Sequence, residues 1–223
     1  GGAAWPCEAR LLFIRHAQAE AKGSREGAAK RDPGLSPHGH RQAELLCERL
    51  RRAEGAAGLV VICSPMRRCL HTAAPVAADG CALLAESRAV CQALLCEHGN
   101  APEDFSAADV AASFPQLFGA DARHRVAMHG FGGRASGDTP ARAVAAAAWL
   151  GRECGQQASE AAYAVFSHQT FLDALLQVLV RGSASQWEYG SPEFRFQNTA
   201  VTELRIGPAG TRVMYRNDSS HLR

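Results

Sequence analysis

Two histidines and at least two arginines in this sequence stand where short apolar runs stop, and these residue types bind and transfer phosphate. Arg15-His16 follows the run Leu11 to Ile14. Ser64-Pro65-Met66-Arg67-Arg68 follows Leu59 to Cys63, and Ser167-His168 follows Tyr163 to Phe166. A guanidinium offers a rigid fork matched to phosphate oxygens. A neutral imidazole can attack phosphorus, and a protonated one can donate to its oxygens. Taken singly, each segment has a plainer reading: a solvated strand end, a Ser-Pro helix cap, a structural histidine. Three at equivalent places outweigh those readings. In an open α/β sheet, ligands bind in the crevice at the carboxyl ends of the strands, and a helix N-terminus after each strand adds free N–H groups that favour an anion.

The elements that must hold these groups alternate short and long. Leu11 to Ile14 is apolar throughout, as a strand buried on both faces should be. Ser36 with Pro37 opens a helix, and Ala43, Leu46, Cys47 and Leu50 recur at helical spacing. Ser64-Pro65 caps a second helix running toward Ala78, and Cys81 to Leu84 reads as a third strand. A helix from Ser106 to Ser113 precedes a Gly/His/Arg-rich loop. Asp138-Thr139-Pro140 starts an Ala-rich helix reaching about Cys154, and Phe171 to Val180 forms another. Ala200 to Ile206 and Thr211 to Tyr215 flank Gly207-Pro208-Ala209-Gly210 and read as a closing hairpin. Strands alternating with helices predict an α/β fold, a three-layer α/β/α sandwich with a mostly parallel sheet.

Bulk properties narrow the partners. At 223 residues with 47% hydrophobic and 21% charged residues, the chain can bury an ordinary core. A net charge of +2, with Lys and Arg spread along the chain, gives no general field for nucleic acid or an anionic membrane. No apolar run approaches the ~20 residues that span a bilayer. The start, Gly1-Gly2-Ala3-Ala4-Trp5-Pro6, has neither an initiator Met nor a signal pattern, and leaves open a targeting segment already removed. Residues 1–10 are expected to be a disordered or appended segment. Residues 11–223 form one domain, with 87–137 as an inserted cap or lid.

Eight cysteines sit mainly in apolar segments, without any C-x-x-C, and read as reduced thiols in a cytoplasmic protein. None has the Arg six positions later that a thiol phosphatase needs. Cys91, Cys96 and His98 could be drawn as part of a zinc site, but no fourth ligand is evident, so no metal or cofactor is expected.

The motifs carry a family resemblance. Arg15-His16-Ala17, followed by Leu35-Ser36-x-x-Gly39-x-x-Gln42-Ala43, resembles the opening signature of the histidine phosphatase superfamily, branch 1, the phosphoglycerate-mutase-like group. Ser64 to Ala73 resembles its second block, Val165-Phe166-Ser167-His168 its third, and Asn198-Thr199-Ala200-Val201-Thr202 its late strand. The likeness runs from about residue 11 to 206. It implies His16 as nucleophile, Arg15, Arg68 and His168 as holders of the transferring oxygens, with His168 working best as a cation, a state that nearby phosphate favours, and an acid that protonates the leaving oxygen. Glu97, in Leu94-Leu95-Cys96-Glu97-His98-Gly99, fits the family's acid segment better than its competitor Glu86. Gln169 and Lys22 join the expected substrate contacts, at positions where many members carry Gly and Asn. Ala17 replaces the usual Gly, and His71 the common Gln.

The expected activity is metal-independent hydrolysis of a small phosphorylated molecule through a phosphohistidine, with that substrate or inorganic phosphate as the ligand. Two alternatives stay open: a phosphoglycerate-type mutase, and a non-catalytic phosphate-binding protein on the same fold. The segment 118–137 reads either as a lid or as an exposed connection.

Overall fold

The central strands alternate between two apolar faces, and that alternation makes the layers. The computed structural model describes residues 5–20, 32–54, 59–77, 89–97, 107–118, 125–127, 138–155 and 162–223. Its strands are β1 (Ala9–Arg15), β2 (Leu59–Cys63), β3 (Ala89–Gln92), β4 (Arg125–Ala127), β5 (Ala162–Ser167), β6 (Val201–Gly207) and β7 (Gly210–Asp218). They form one sheet in the order β4-β3-β2-β5-β1-β6-β7. The first five run parallel, while β6 and β7 close one edge antiparallel.

On one face, Leu11, Phe13, Val60, Ile62, Tyr163 and Val165 pack with α5 (Thr139–Gly155) and α6 (Gln169–Arg181). On the other, Leu12, Ile14, Leu59, Val61, Cys63 and Phe166 pack with α1 (Pro37–Glu54), α2 (Arg67–Ala77) and the short helices α3 (Ala107–Ser113) and α4 (Pro115–Phe118). Successive strand residues point to opposite faces, so a run such as LLFI feeds both cores. Each large side chain so buried contributes roughly 1.5–3 kcal/mol. The three layers and the mostly parallel sheet are those expected.

Three expectations shift. Trp5 packs on the first core, Pro6 lies against Gly155, and β1 begins at Ala9, so residues 5–10 join the domain. Cys81 to Leu84 lies outside the described residues; the strand that pairs with β2 is Ala89–Gln92. Within 87–137, β3 and β4 both belong to the main sheet, so part of the expected insertion is sheet edge. Among the described residues seven cysteines are free, six of them buried, and no helix is long and apolar enough to cross a membrane.

Candidate active site

The strand order places β5 between β1 and β2, which brings the three motif-bearing strand ends side by side. Arg15 pairs with Ser167, and Cys63 with Phe166. The ladder continues one residue beyond: His16 N–H donates to Ser167 O at 3.0 Å, and Ser64 N–H to Phe166 O at 2.9 Å.

His16 is buried, and its Nδ1 lies 2.7 Å from the carbonyl oxygen of Ala17. A carbonyl can only accept, so Nδ1 carries the proton and Nε2 keeps its lone pair. Burial, then the charges of Arg68 and Arg15, push the imidazole pKa down to about 3, against the opposing pull of the Ala17 carbonyl. The ring is therefore neutral at ordinary pH, the form in which a histidine is a nucleophile.

The residues Leu35-Ser36-x-x-Gly39-x-x-Gln42-Ala43 fix the loop that follows the nucleophile. Ser36 caps α1 by accepting from Gly39 N–H at 3.0 Å, and its own N–H donates to Gln18 O at 3.0 Å. Gln42 Oε1 accepts from Gln18 N–H at 2.9 Å. Gly39 is required because a Cβ there would overlap Gln18 O. Ala17, Leu35 and Ala43 make a small core of their own, so the methyl of Ala17 is accommodated. From the other side, Thr72 Oγ1 accepts from Ala17 N–H at 2.9 Å and donates to Arg68 O at 2.6 Å. Asn198 Nδ2 donates to His16 O at 2.8 Å, and Thr199, at φ 56°, donates its N–H to Arg15 O at 3.0 Å.

Arg68 and His168 are buried together. Arg68 Nε donates to His168 Nδ1 at 3.2 Å, which leaves the proton on Nε2, 3.0 Å from Ser64 Oγ. The His16 and His168 ring centroids are 5.2 Å apart. Total burial, then the charge of Arg68, hold the His168 pKa well below its usual value. His168 is thus neutral in this arrangement, first because it is fully buried and then because Arg68 beside it is itself a cation; the cation expected is one favoured by neighbouring phosphate. Arg15 Nη1 donates to Phe196 O at 2.8 Å, while its Nε is buried with no hydrogen-bond partner among the described residues.

Glu97 follows the turn Ala93–Leu95, which Ser167 Oγ fixes by donating to Leu95 O at 2.6 Å. Its charge bears on both Arg15 and Arg142, which places it at the same pocket. Glu86, Lys22 and His98 lie outside the described residues, as does most of 118–137. The side chain of Gln169 is engaged by backbone: Nε2 donates to Phe194 O at 2.9 Å, and Oε1 accepts from Phe196 N–H at 2.7 Å. It thereby holds the segment that Arg15 also grips.

Two neighbours escaped the sequence reading. Asp32 accepts the N–H of Arg67, the first residue of α2, at 3.0 Å and lies 3.5 Å from Arg68 Nη1. An acid just ahead of the Pro-Gly-Leu-Ser run was the available signal. Arg142, one of two arginines in the Ala-rich α5, gave none. Among the described residues no group of three or more His, Cys, Asp or Glu is placed to hold a metal ion.

Taken together, strand ends present a neutral nucleophilic nitrogen and guanidinium groups, and the turn after β3 adds a carboxylate. Such a set can accept a phosphoryl group and neutralise its charge. Comparison with known proteins agrees with the motifs. The family model of the histidine phosphatase superfamily (branch 1) matches residues 11–219. YhfR of Bacillus stearothermophilus superposes with a TM-score of 0.61 at 18% identity, covering 96% of this chain and 100% of that one. The α-ribazole phosphatase of Shigella flexneri gives 0.59 at 21%, covering 94% and 96%. A phosphoserine phosphatase of Entamoeba histolytica, in complex with 3-phosphoglyceric acid, gives 0.55 at 18%, covering 96% and 100%. No match was found among curated protein sequences.

Proposed function

Because the chain belongs to the histidine phosphatase superfamily (branch 1), we propose that it is a metal-independent phosphomonoester hydrolase acting on a small phosphorylated molecule. The observation that carries this reading is the unprotonated Nε2 of His16, held by the Nδ1–H bond to Ala17 O beside two guanidinium groups. In the first step Nε2 attacks phosphorus in line, forming the P–N bond as the P–O ester bond breaks. Glu97, as the carboxylic acid, gives its proton to the departing oxygen. The positive charge that develops on the ring is stabilised through Nδ1–H by the Ala17 carbonyl.

Arg15 and Arg68 bind the equatorial oxygens and neutralise charge that grows in the transition state. A phosphate dianion supplies the countercharge that His168 otherwise lacks, so binding would draw a proton onto this ring and make it a donor. Glu97, now a carboxylate, then removes a proton from water as its oxygen attacks phosphorus. The P–N bond breaks, and His16 returns neutral.

A panel of phosphate esters assayed with a chelator present tests the reading. Wild type should turn over, and His16→Ala should not. Glu97→Gln should slow alkyl esters by about 10²–10⁴-fold, and p-nitrophenyl phosphate far less, since that leaving group needs little protonation. Turnover that survives the loss of His16, or stops on chelation, refutes the mechanism.

A further inference from the structure

Arg142 is a cation without a hydrogen-bond partner among the described residues. It stands in the first turn of α5, where its backbone N–H donates to Asp138 O at 3.1 Å. Its Nε, Nη1 and Nη2 are all buried, and none is hydrogen-bonded there. The guanidinium carbon lies 4.7 Å from the centroid of the Phe171 ring, three residues beyond His168. The ring face compensates part of the charge, but the five N–H donors at the edge of the guanidinium remain unmet. Buried polar groups left so are rare, and a buried cation calls for an anion.

The charged surroundings say which anion. Arg142 interacts electrostatically with Glu97, Cys96 and His168. The charges that act on His16 are those of Arg68 and Arg15. Packed on Phe171 and within electrostatic reach of Glu97, the proposed acid, Arg142 borders the pocket that receives the leaving group. A guanidinium built only to anchor Glu97 would be hydrogen-bonded to it, and this one is not.

We propose that Arg142 is a specificity-determining residue that grips a second anionic group, a carboxylate or a second phosphate, carried on the substrate's leaving group near the ester oxygen. This rests on the phosphatase reading for the identity of the leaving group. The site would then accept a phosphorylated acid or a bisphosphate in preference to a neutral phosphorylated alcohol.

Binding of phosphonates, which have no ester to hydrolyse, tests it without turnover. Methylphosphonate offers one anionic group, phosphonoacetate adds a carboxylate, and methylenediphosphonate adds a second phosphonate. Calorimetric titration of wild type should show at least one of the latter two binding about tenfold or more tighter than methylphosphonate, as a charge-assisted pair implies. The stronger of the two identifies the group.

R142Q should abolish the preference while leaving methylphosphonate binding within about threefold, and R142K should keep part of it, since the charge survives without the fork. R142Q removes an unpaired buried cation, so its melting temperature without ligand should equal or exceed wild type; R142K carries the test if it does not fold. A wild-type preference near one, a preference unchanged in R142Q, or an equal loss for all three phosphonates would overturn the proposal. A preference that depends on Arg142 in a protein that hydrolyses no ester would refute the phosphatase reading alone.

Discussion

Replacing His16 by Asn should make the protein more resistant to acid, and by an amount the structure sets. The native ring is neutral with its pKa pushed down to about 3, while an unfolded histidine titrates near 6.5. As pH falls below 6.5 the unfolded chain takes up a proton at this position and the native state does not. Stability from the neutral ring is therefore complete above 6.5 and is lost as pH falls toward 3. Each pH step in that window costs the native state about 1.4 kcal/mol. Between pH 7 and pH 4.5, wild type should thus lose about 2.5 kcal/mol through His16 alone, a large part of a typical 5–15 kcal/mol total.

Asn carries an amide N–H₂ near the place of Nδ1 and can still donate to Ala17 O, so the carbonyl stays satisfied while the titration disappears. His168 and His221, whose pKa values are also lowered by burial, remain in both proteins and largely cancel. Urea unfolding at pH 7 and pH 4.5, in buffers free of phosphate, gives the four free energies required. His16→Asn minus wild type should move in favour of the variant by about 2–2.5 kcal/mol on acidification. A difference that stays the same at both pH values would mean that native His16 titrates like an unfolded one. The argument for a neutral nucleophile would then fail.

Two further substitutions probe the supports of the site. Gly39→Ala forces a methyl into Gln18 O, so the backbone must shift; about 1–3 kcal/mol of stability should be lost, together with kcat, as read by thermal melting and a phosphate-ester assay. An alanine tolerated with full activity would show that the close approach is not needed. Ser167→Ala removes the bond to Leu95 O that fixes the turn before Glu97. It should lower kcat for alkyl esters about tenfold while sparing p-nitrophenyl phosphate, and an equal loss for both would detach the turn from proton transfer.

What the sequence discloses follows from how far apart the partners are. The strands around Leu12, Val61 and Val165 are apolar on both faces, a pattern produced only by helices on both sides. The expectation of three strand ends in one crevice needs nothing beyond that topology. The Leu35 to Ala43 pattern is legible as a motif, while its reason, a cradle for Gln18, depends on bonds between segments about twenty residues apart. Asp32 and Arg142 lie further from legibility. Asp32 meets Arg67 across 35 positions, and Arg142 sits in an Ala-rich helix where an arginine, like Arg152 further along, reads as part of a solvated face. The charge state of His168 without phosphate is illegible for a related reason. The motif ties a His168 cation to neighbouring phosphate, whereas the neutral ring seen without it follows from burial beside Arg68, and burial is a property of the packed fold.

The register of the sheet therefore has chemical content. His16 is held by Ser167 O, Ser64 by Phe166 O, and Leu95 O by the Ser167 hydroxyl, so the end of β5 positions nucleophile, Ser64 and acid turn at once. Side chains alternate along a strand, and a slip of one residue would send each of these groups to the opposite face. That slip is blocked because it would also turn Val165 and Phe166 out of their separate cores. The apolar alternation that fixes the fold is thus what aligns the phosphate-binding groups, and the pocket inherits its precision from the two cores.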